Sequence, residues 1–116
     1  MKIKFLKSKI HRAKVTDANL DYEGSITIDQ SLMEAAGLYK YEKVHVLNIT
    51  NGERVETYVI VAPRGSKEIC INGAAAHLIR PNDRVIILSY CSLDDDEIVQ
   101  HKPTVVKVNN KNEIIG

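Results

Sequence analysis

Apolar residues along this chain alternate with polar ones or run in short blocks bounded by turn residues, a pattern that predicts a mainly β domain with one or two short helices. A first extended stretch is predicted over Lys4 to Val15 and a second, short one over Ser25 to Ile28, with a polar turn from Asp17 to Gly24 between them. Asp29-Gln30-Ser31 can cap a short helix carrying Leu32, Met33, Ala35 and Ala36, and Gly37 can end it in a left-handed conformation. Lys43 to Thr50 and Glu53 to Ala62 read as strands joined at Asn51-Gly52, the dipeptide favoured by a two-residue type I′ hairpin turn. After Pro63-Arg64-Gly65, a strand over Lys67 to Ile71 ends at a second Asn-Gly. Because the sequel Ala74 to Ile79 is helical in propensity, Asn72 is expected there as a helix N-cap. Arg84 to Tyr90 and Thr104 to Val108 read as the last strands. The acidic run Asp94 to Glu97 reads as a solvated loop, and the polar tail as frayed at its end.

Composition narrows the class. The 116 residues form a single domain, 1–116, with no repeat and no low-complexity tract. Sixteen basic and fifteen acidic residues leave a net charge of +1, so the chain carries no electrostatic footprint for nucleic acid or an anionic membrane. The N-terminal MKIKFLKSKIHR lacks the apolar core of a signal peptide and no run approaches membrane-spanning length, so a cytoplasmic protein is expected. Cys70 and Cys91 form no C-x-x-C pair and are expected as buried thiols. His45, His77 and His101 lack metal-ligand spacing, and no metal is expected. With no Trp, one Phe and five Tyr, almost every aromatic carries a hydroxyl that needs solvent, a partner or a chemical use.

Four places could carry chemistry. Gly24-Ser25 sets a hydroxyl beside the most permissive residue, so that a strained peptide there could undergo an N-to-O acyl shift; its plain alternative is a surface turn. The strand period puts Arg54, Glu56 and Tyr58 on one face, with Thr57 on the other. There Arg54 could fork a carboxylate and Tyr58 could donate a proton, or the charges could simply be solvated. Asn72-Gly73-Ala74-Ala75 offers backbone N–H groups and a small-residue surface to an anion, or a capped helix packed through alanines. Lys9 and His11 alternate onto one strand face.

Taken together, Lys9-Ile10-His11-Arg12, Tyr22-Glu23-Gly24-Ser25, Ala35-Ala36-Gly37, Asn51-Gly52 with Arg54 and Thr57-Tyr58, Arg64-Gly65-Ser66, and Ile71-Asn72-Gly73-Ala74-Ala75-Ala76-His77 resemble the pyruvoyl-dependent aspartate 1-decarboxylases, in order and at the family's spacing. The resemblance implies a six-stranded double-psi β-barrel with short helices, assembled as a homotetramer with sites at subunit interfaces. It also implies self-cleavage between Gly24 and Ser25 into a β chain (1–24) and an α chain (25–116), the Ser25 hydroxyl attacking the Gly24 carbonyl and the resulting ester eliminating to a dehydroalanine that hydrolyses to a covalent pyruvoyl group. That cofactor forms a Schiff base with L-aspartate, accepts the electrons left by carbon dioxide, and releases β-alanine for pantothenate and coenzyme A. By the same resemblance Ser25 is the pyruvoyl precursor and Tyr58 the proton donor. Arg54 and Lys9 are carboxylate partners, Thr57 and Asn72 stabilise the cleavage intermediate, and Gly73, Ala74 and Ala75 make backbone contacts to substrate. A maturation factor is a possible partner in cleavage.

Two departures stand out. Asn82-Asp83 replaces the family's Gly-Asp before the strand at Arg84, a mild change because Asn tolerates the left-handed region. The tail after about Cys91 matches poorly and carries no assigned function. The alternative to the enzyme is a non-catalytic β-barrel binding module of the same fold. Retention of Ser25, Tyr58, Arg54 and Asn72 favours the enzyme. A nucleic-acid-binding barrel is disfavoured by the near-neutral charge and the lack of a stacking-aromatic patch.

Overall fold

A computed structural model describes residues 1–116. Eight strands, β1 (Ile3–Lys14), β2 (Asp17–Asn19), β3 (Ile26–Asp29), β4 (Lys43–Asn48), β5 (Arg54–Ala62), β6 (Ile69–Asn72), β7 (Arg84–Leu93) and β8 (Thr104–Lys107), hydrogen-bond in the order β2-β6-β3-β5-β4-β7-β1-β8. The chain is mainly β with short helices, as expected. Its strands exceed the expected six because the short segments β2 and β8 add parallel pairings at the two ends of the series, to β6 and β1. Strand β5 links the two halves: Arg54 to Tyr58 pair antiparallel with β4, and Val59 to Ala62 pair parallel with β3. The alternation seen in the sequence is the cause of this layout. Ile10, Ile26, Ile28, Val44, Val46, Val59, Ile69, Ile71 and Ile87 all point inward to one core, each contributing about 1.5–3 kcal/mol by leaving water.

Helix α1 (Gln30–Ala36) seals one side of that core with Leu32, Met33 and Ala36, and ends at Gly37 with φ 72°, as predicted. Its cap does more than start a helix. Asp29 is fully buried; its Oδ1 accepts from Ser31 N (2.8 Å), Ser31 Oγ (2.8 Å) and Gly65 N (2.9 Å), and its Oδ2 from Lys67 N (2.8 Å). One carboxylate therefore ties the end of β3 to the loop entering β6. Burial pushes the Asp29 carboxyl up, but the hydrogen bonds from Ser31, Lys67 and Gly65 outweigh it and hold the group below the usual carboxylate range.

Several local expectations are corrected by long-range contacts. The turn Asp17 to Gly24 contains β2, because Asp17 to Asn19 pair with Cys70 to Asn72. Asn51-Gly52 does not form a two-residue type I′ turn; only Gly52 has positive φ, its N–H donates to Asn48 O (2.8 Å), and Ile49 N is drawn to Arg84 O (2.8 Å), which lengthens the loop. The acidic run is not a plain loop but a short helix, α2 (Asp95–Ile98), with the Asp94 amide donating to Glu97 Oε1 (2.7 Å). The tail is pinned: buried Asn112 accepts from Lys14 N (2.7 Å) and donates to the carbonyls of Lys14 (2.8 Å) and Lys67 (3.0 Å). Cys70 and Cys91 are partly rather than fully buried. Asn82 takes φ 76°, as its place in a left-handed turn requires.

Candidate active site

Ser25 and Asn72 meet because β3 runs antiparallel to β6 with Ile26 opposite Ile71, which makes them the next pair along the ladder. Asn72 N donates to Ser25 O (3.0 Å), and Asn72 Nδ2 donates to Ser25 Oγ (2.9 Å) and to Thr27 Oγ1 (2.9 Å). Both residues are almost wholly buried, at 1% and 4% exposure, so bulk water does not compete for these bonds. Asn72 is therefore not a helix cap. The turn after it, Gly73–His77, is a 3-10 helix, and the Asn72 side chain makes no hydrogen bond to its backbone.

The backbone here is strained. Gly24 and Ser25 both have φ 100°, open to glycine but unfavourable for serine, which costs on the order of 1–3 kcal/mol. Gly73, at φ 75°, packs so closely that a Cβ would lie 2.7 Å from Gly24 Cα and N and 3.0 Å from Tyr22 O. A glycine is required on both counts. A serine hydroxyl reaches the carbonyl carbon of the preceding residue through a five-membered ring. Strained backbone and a hydroxyl one ring-closure from the preceding carbonyl are what an acyl shift at this bond would require.

A second constellation lies on an open face of the sheet. Cross-strand pairing sets His11, Ile86, Leu47 and Arg54 in one row, and Lys9, Leu88, His45 and Glu56 in the next. Tyr58 follows Glu56 on the same face of β5, 37% exposed and level with Lys43. Arg54, Glu56, His45, Lys43 and Tyr90 contribute to the walls of an open cavity of about 560 Å³. Within it His45 bridges Tyr90 Oη (2.7 Å) and Glu56 Oε1 (2.9 Å), and Lys43 Nζ lies 3.3 Å from Glu56 Oε2. Hydrogen bonds from His45 and Lys43 hold the Glu56 carboxyl below its usual range. The wall has both charges, yet Arg54 has no carboxylate partner among the ion pairs of the chain. That leaves a guanidinium fork for a ligand.

Residues 1–115 match the family described as aspartate decarboxylase. The chain belongs to the aspartate decarboxylase family. It is 58% identical over 115 residues to "Aspartate 1-decarboxylase" of Caldicellulosiruptor bescii, covering 99% of this chain and 90% of that one, and 59% identical to its namesake in Caldicellulosiruptor saccharolyticus with the same coverage. The "Aspartate 1-decarboxylase" of Wolinella succinogenes is 56% identical over 99% of this chain and 95% of its own. A computationally designed protein, msDPBB_sym2, superposes with a TM-score of 0.45 at 16% identity, over 75% of this chain and 96% of that one.

For a member of the aspartate decarboxylase family, the chain distributes its candidate residues unevenly. Gly24, Ser25, Asn72 and Gly73 are brought into one buried cluster. Ala74 and Ala75 follow in the 3-10 turn, Ala74 exposed and Ala75 half-buried. Arg54 and Tyr58 share the outer face of β5, and Thr57 lies on the opposite face beside Val44, as the strand period predicts. Lys9 occupies the same sheet face as Arg54 but stands three strands away, about 14 Å at the usual spacing. Ser25 does not line the cavity beside Arg54.

His11 shares the face of Lys9 as expected. Its Nδ1 is buried without a partner, and burial, then Lys9, Arg12 and Lys107, lower its pKa. Three features went unread in the sequence: the second role of Asp29, the Tyr90–His45–Glu56 chain, and the pair Thr27 and Cys70 around Asn72. Thr27 and Cys70 had a usable signal, since each is two residues from Ser25 or Asn72 on a strand and so shares its face.

Proposed function

We propose that this chain decarboxylates L-aspartate to β-alanine and carbon dioxide after cutting itself between Gly24 and Ser25. The observation that carries the proposal is the buried serine at positive φ, its Oγ held by Asn72, in a chain of this family. The Ser25 hydroxyl adds to the Gly24 carbonyl, the Gly24–Ser25 C–N bond breaks, and the Ser25 nitrogen takes up the proton. Elimination of the ester across Cα and Cβ releases the Gly24 carboxylate, and one water then displaces ammonia, leaving a pyruvoyl group at the head of residues 25–116. Asn72 and Thr57 steady the charge that develops during the cut.

The residues present fit such a group: Ser25, whose Cα and Cβ would carry it, is buried at positive φ with its Oγ, the oxygen that would leave with the Gly24 carboxylate, held by Asn72. A ketone of this kind supplies the electron sink that no ordinary side chain offers to a departing carboxylate. Around it, Arg54 holds one substrate carboxylate in a bidentate fork and Lys9 adds a second positive charge. Tyr58 delivers the proton to Cα, and the backbone of Gly73, Ala74 and Ala75 lies against the substrate.

The separation of Lys9 from Arg54, and of both from Ser25, supports a working unit in which a second copy completes each pocket. A homotetramer of double-psi β-barrels, active in the cytoplasm and feeding pantothenate and coenzyme A synthesis, is the assembly and setting that this reading implies. No helix of the chain is long and apolar enough to cross a membrane.

Incubation of the purified protein with L-aspartate, with product separated by chromatography, tests the activity. β-Alanine is expected from the native chain and none from Ser25→Ala. A cleanly cut protein that leaves L-aspartate untouched would favour the binding module instead.

A further inference from the structure

Four side chains lie on one face of the β3–β6 pair: Ser25 and Thr27 from the first chain segment, Cys70 and Asn72 from the second, with Thr27 directly opposite Cys70. The side-chain amide of Asn72 has two hydrogens and one carbonyl oxygen, and all are used. Nδ2 donates to Ser25 Oγ and Thr27 Oγ1, both at 2.9 Å, and Oδ1 accepts from Cys70 Sγ at 3.3 Å. At 4% exposure the residue has no room to exchange a lost partner for bulk water.

We infer that Cys70 and Thr27 are positioning residues for self-cleavage, fixing Asn72 so that its NH2 group, and not its carbonyl oxygen, faces the Ser25 hydroxyl. This rests on the self-cleavage reading given above. Hydroxyls donate or accept equally well, so Ser25 and Thr27 by themselves satisfy either orientation of the amide. The count of partners breaks the tie: Cys70 is a single group that donates its S–H to the single Oδ1, whereas a turned amide would bring two hydrogens to that one sulfur and leave one of them unmet. Burial, with Asp17 and Glu68 nearby, raises the Cys70 pKa and keeps the donor hydrogen in place.

The consequence falls on Ser25. With N–H aimed at Oγ, negative charge developing on that oxygen as its proton leaves is stabilised; with the carbonyl oxygen there, it would be repelled. Thr27 occupies the second amide hydrogen. Without its hydroxyl that hydrogen is buried and unmet, and the amide is free to turn.

The test follows self-cleavage by intact mass over time in four variants beside the native chain, with thermal melting in parallel. Cys70→Ala and Thr27→Val are expected to slow the cut about tenfold, the scale of one lost oriented hydrogen bond, whereas Cys70→Ser and Thr27→Ser stay within about twofold of native. Rescue by the hydroxyl variants is what a purely space-filling role would not give. If Cys70→Ala cuts at the native rate, or Cys70→Ser is as slow as Cys70→Ala, the orienting role is overturned while self-cleavage stands. A native chain that stays whole throughout overturns the self-cleavage reading itself. Should Cys70→Ala melt too low to measure, the Thr27→Val and Thr27→Ser pair decides by the same comparison.

Discussion

Ser25 and Asn72 sit inside the protein and are joined by both backbone and side chain, whereas Arg54 and Tyr58 stand on an open sheet face, with Lys9 three strands away from them. The first region lies within one chain: the Ser25 hydroxyl, the Asn72 amide bonded to it, the backbone at positive φ and the close-packed Gly73 all come from β3, β6 and the residues flanking them. The second is an open surface, with a guanidinium free of carboxylate partners in a cavity wall that Ser25 does not line. On the proposed function, the difference would place self-cleavage within the folded protomer and leave decarboxylation to a pocket that a second copy completes.

Ser25→Ala is expected to leave the chain whole and to abolish β-alanine formation, so one substitution on the buried side removes both chemistries. Tyr58→Phe, on the open side, should cut at the native rate yet lose about 10²–10⁴-fold in turnover, the usual contribution of a positioned proton donor. Native turnover in that variant would remove Tyr58 as the acid. Arg54→Lys keeps the charge but not the fork. It is expected to cut normally and to raise KM for L-aspartate about tenfold, a change that steady-state kinetics would detect.

A further expected effect falls on stability and concerns the frame that aligns β3 with β6. Replacing Asp29 with Ala strands the N–H groups of Ser31, Gly65 and Lys67, and a loss of about 3 kcal/mol is expected in denaturant unfolding. Because the folded-state pKa of Asp29 lies below its unfolded value, the carboxylate's extra stabilisation is present above about pH 4 and is lost as pH falls through the lower, folded value. The stability gap between the native chain and Asp29→Asn should therefore be constant near neutrality and shrink in acid. A gap that widens below pH 4 would reverse the assignment.

Much of this was legible locally. Asp29 and Gly37 bracket α1 as read, the Arg54 to Tyr58 alternation holds, and Gly24 takes the positive φ that its permissive backbone allows. What the pattern could not supply was the partner of each polar residue. Asn72 reads as a cap by its neighbours, but Ser25 and Thr27, more than forty residues away in sequence, take its amide. Asn51-Gly52 reads as a tight hairpin, but Arg84 claims the Ile49 N–H and enlarges the loop. The tail reads as frayed, but Asn112 bridges Lys14 and Lys67. In each case a long-range hydrogen bond overrides a local propensity of about 1 kcal/mol.

On the proposed function, Ser25 is the source of a covalent pyruvoyl group. Intact mass under denaturing conditions, taken on the purified protein before and after prolonged warming, tests it most directly. Two species are expected, residues 1–24 ending in a free carboxylate and residues 25–116 with a keto group in place of the Ser25 amine. A chain that remains whole while converting L-aspartate to β-alanine would contradict it.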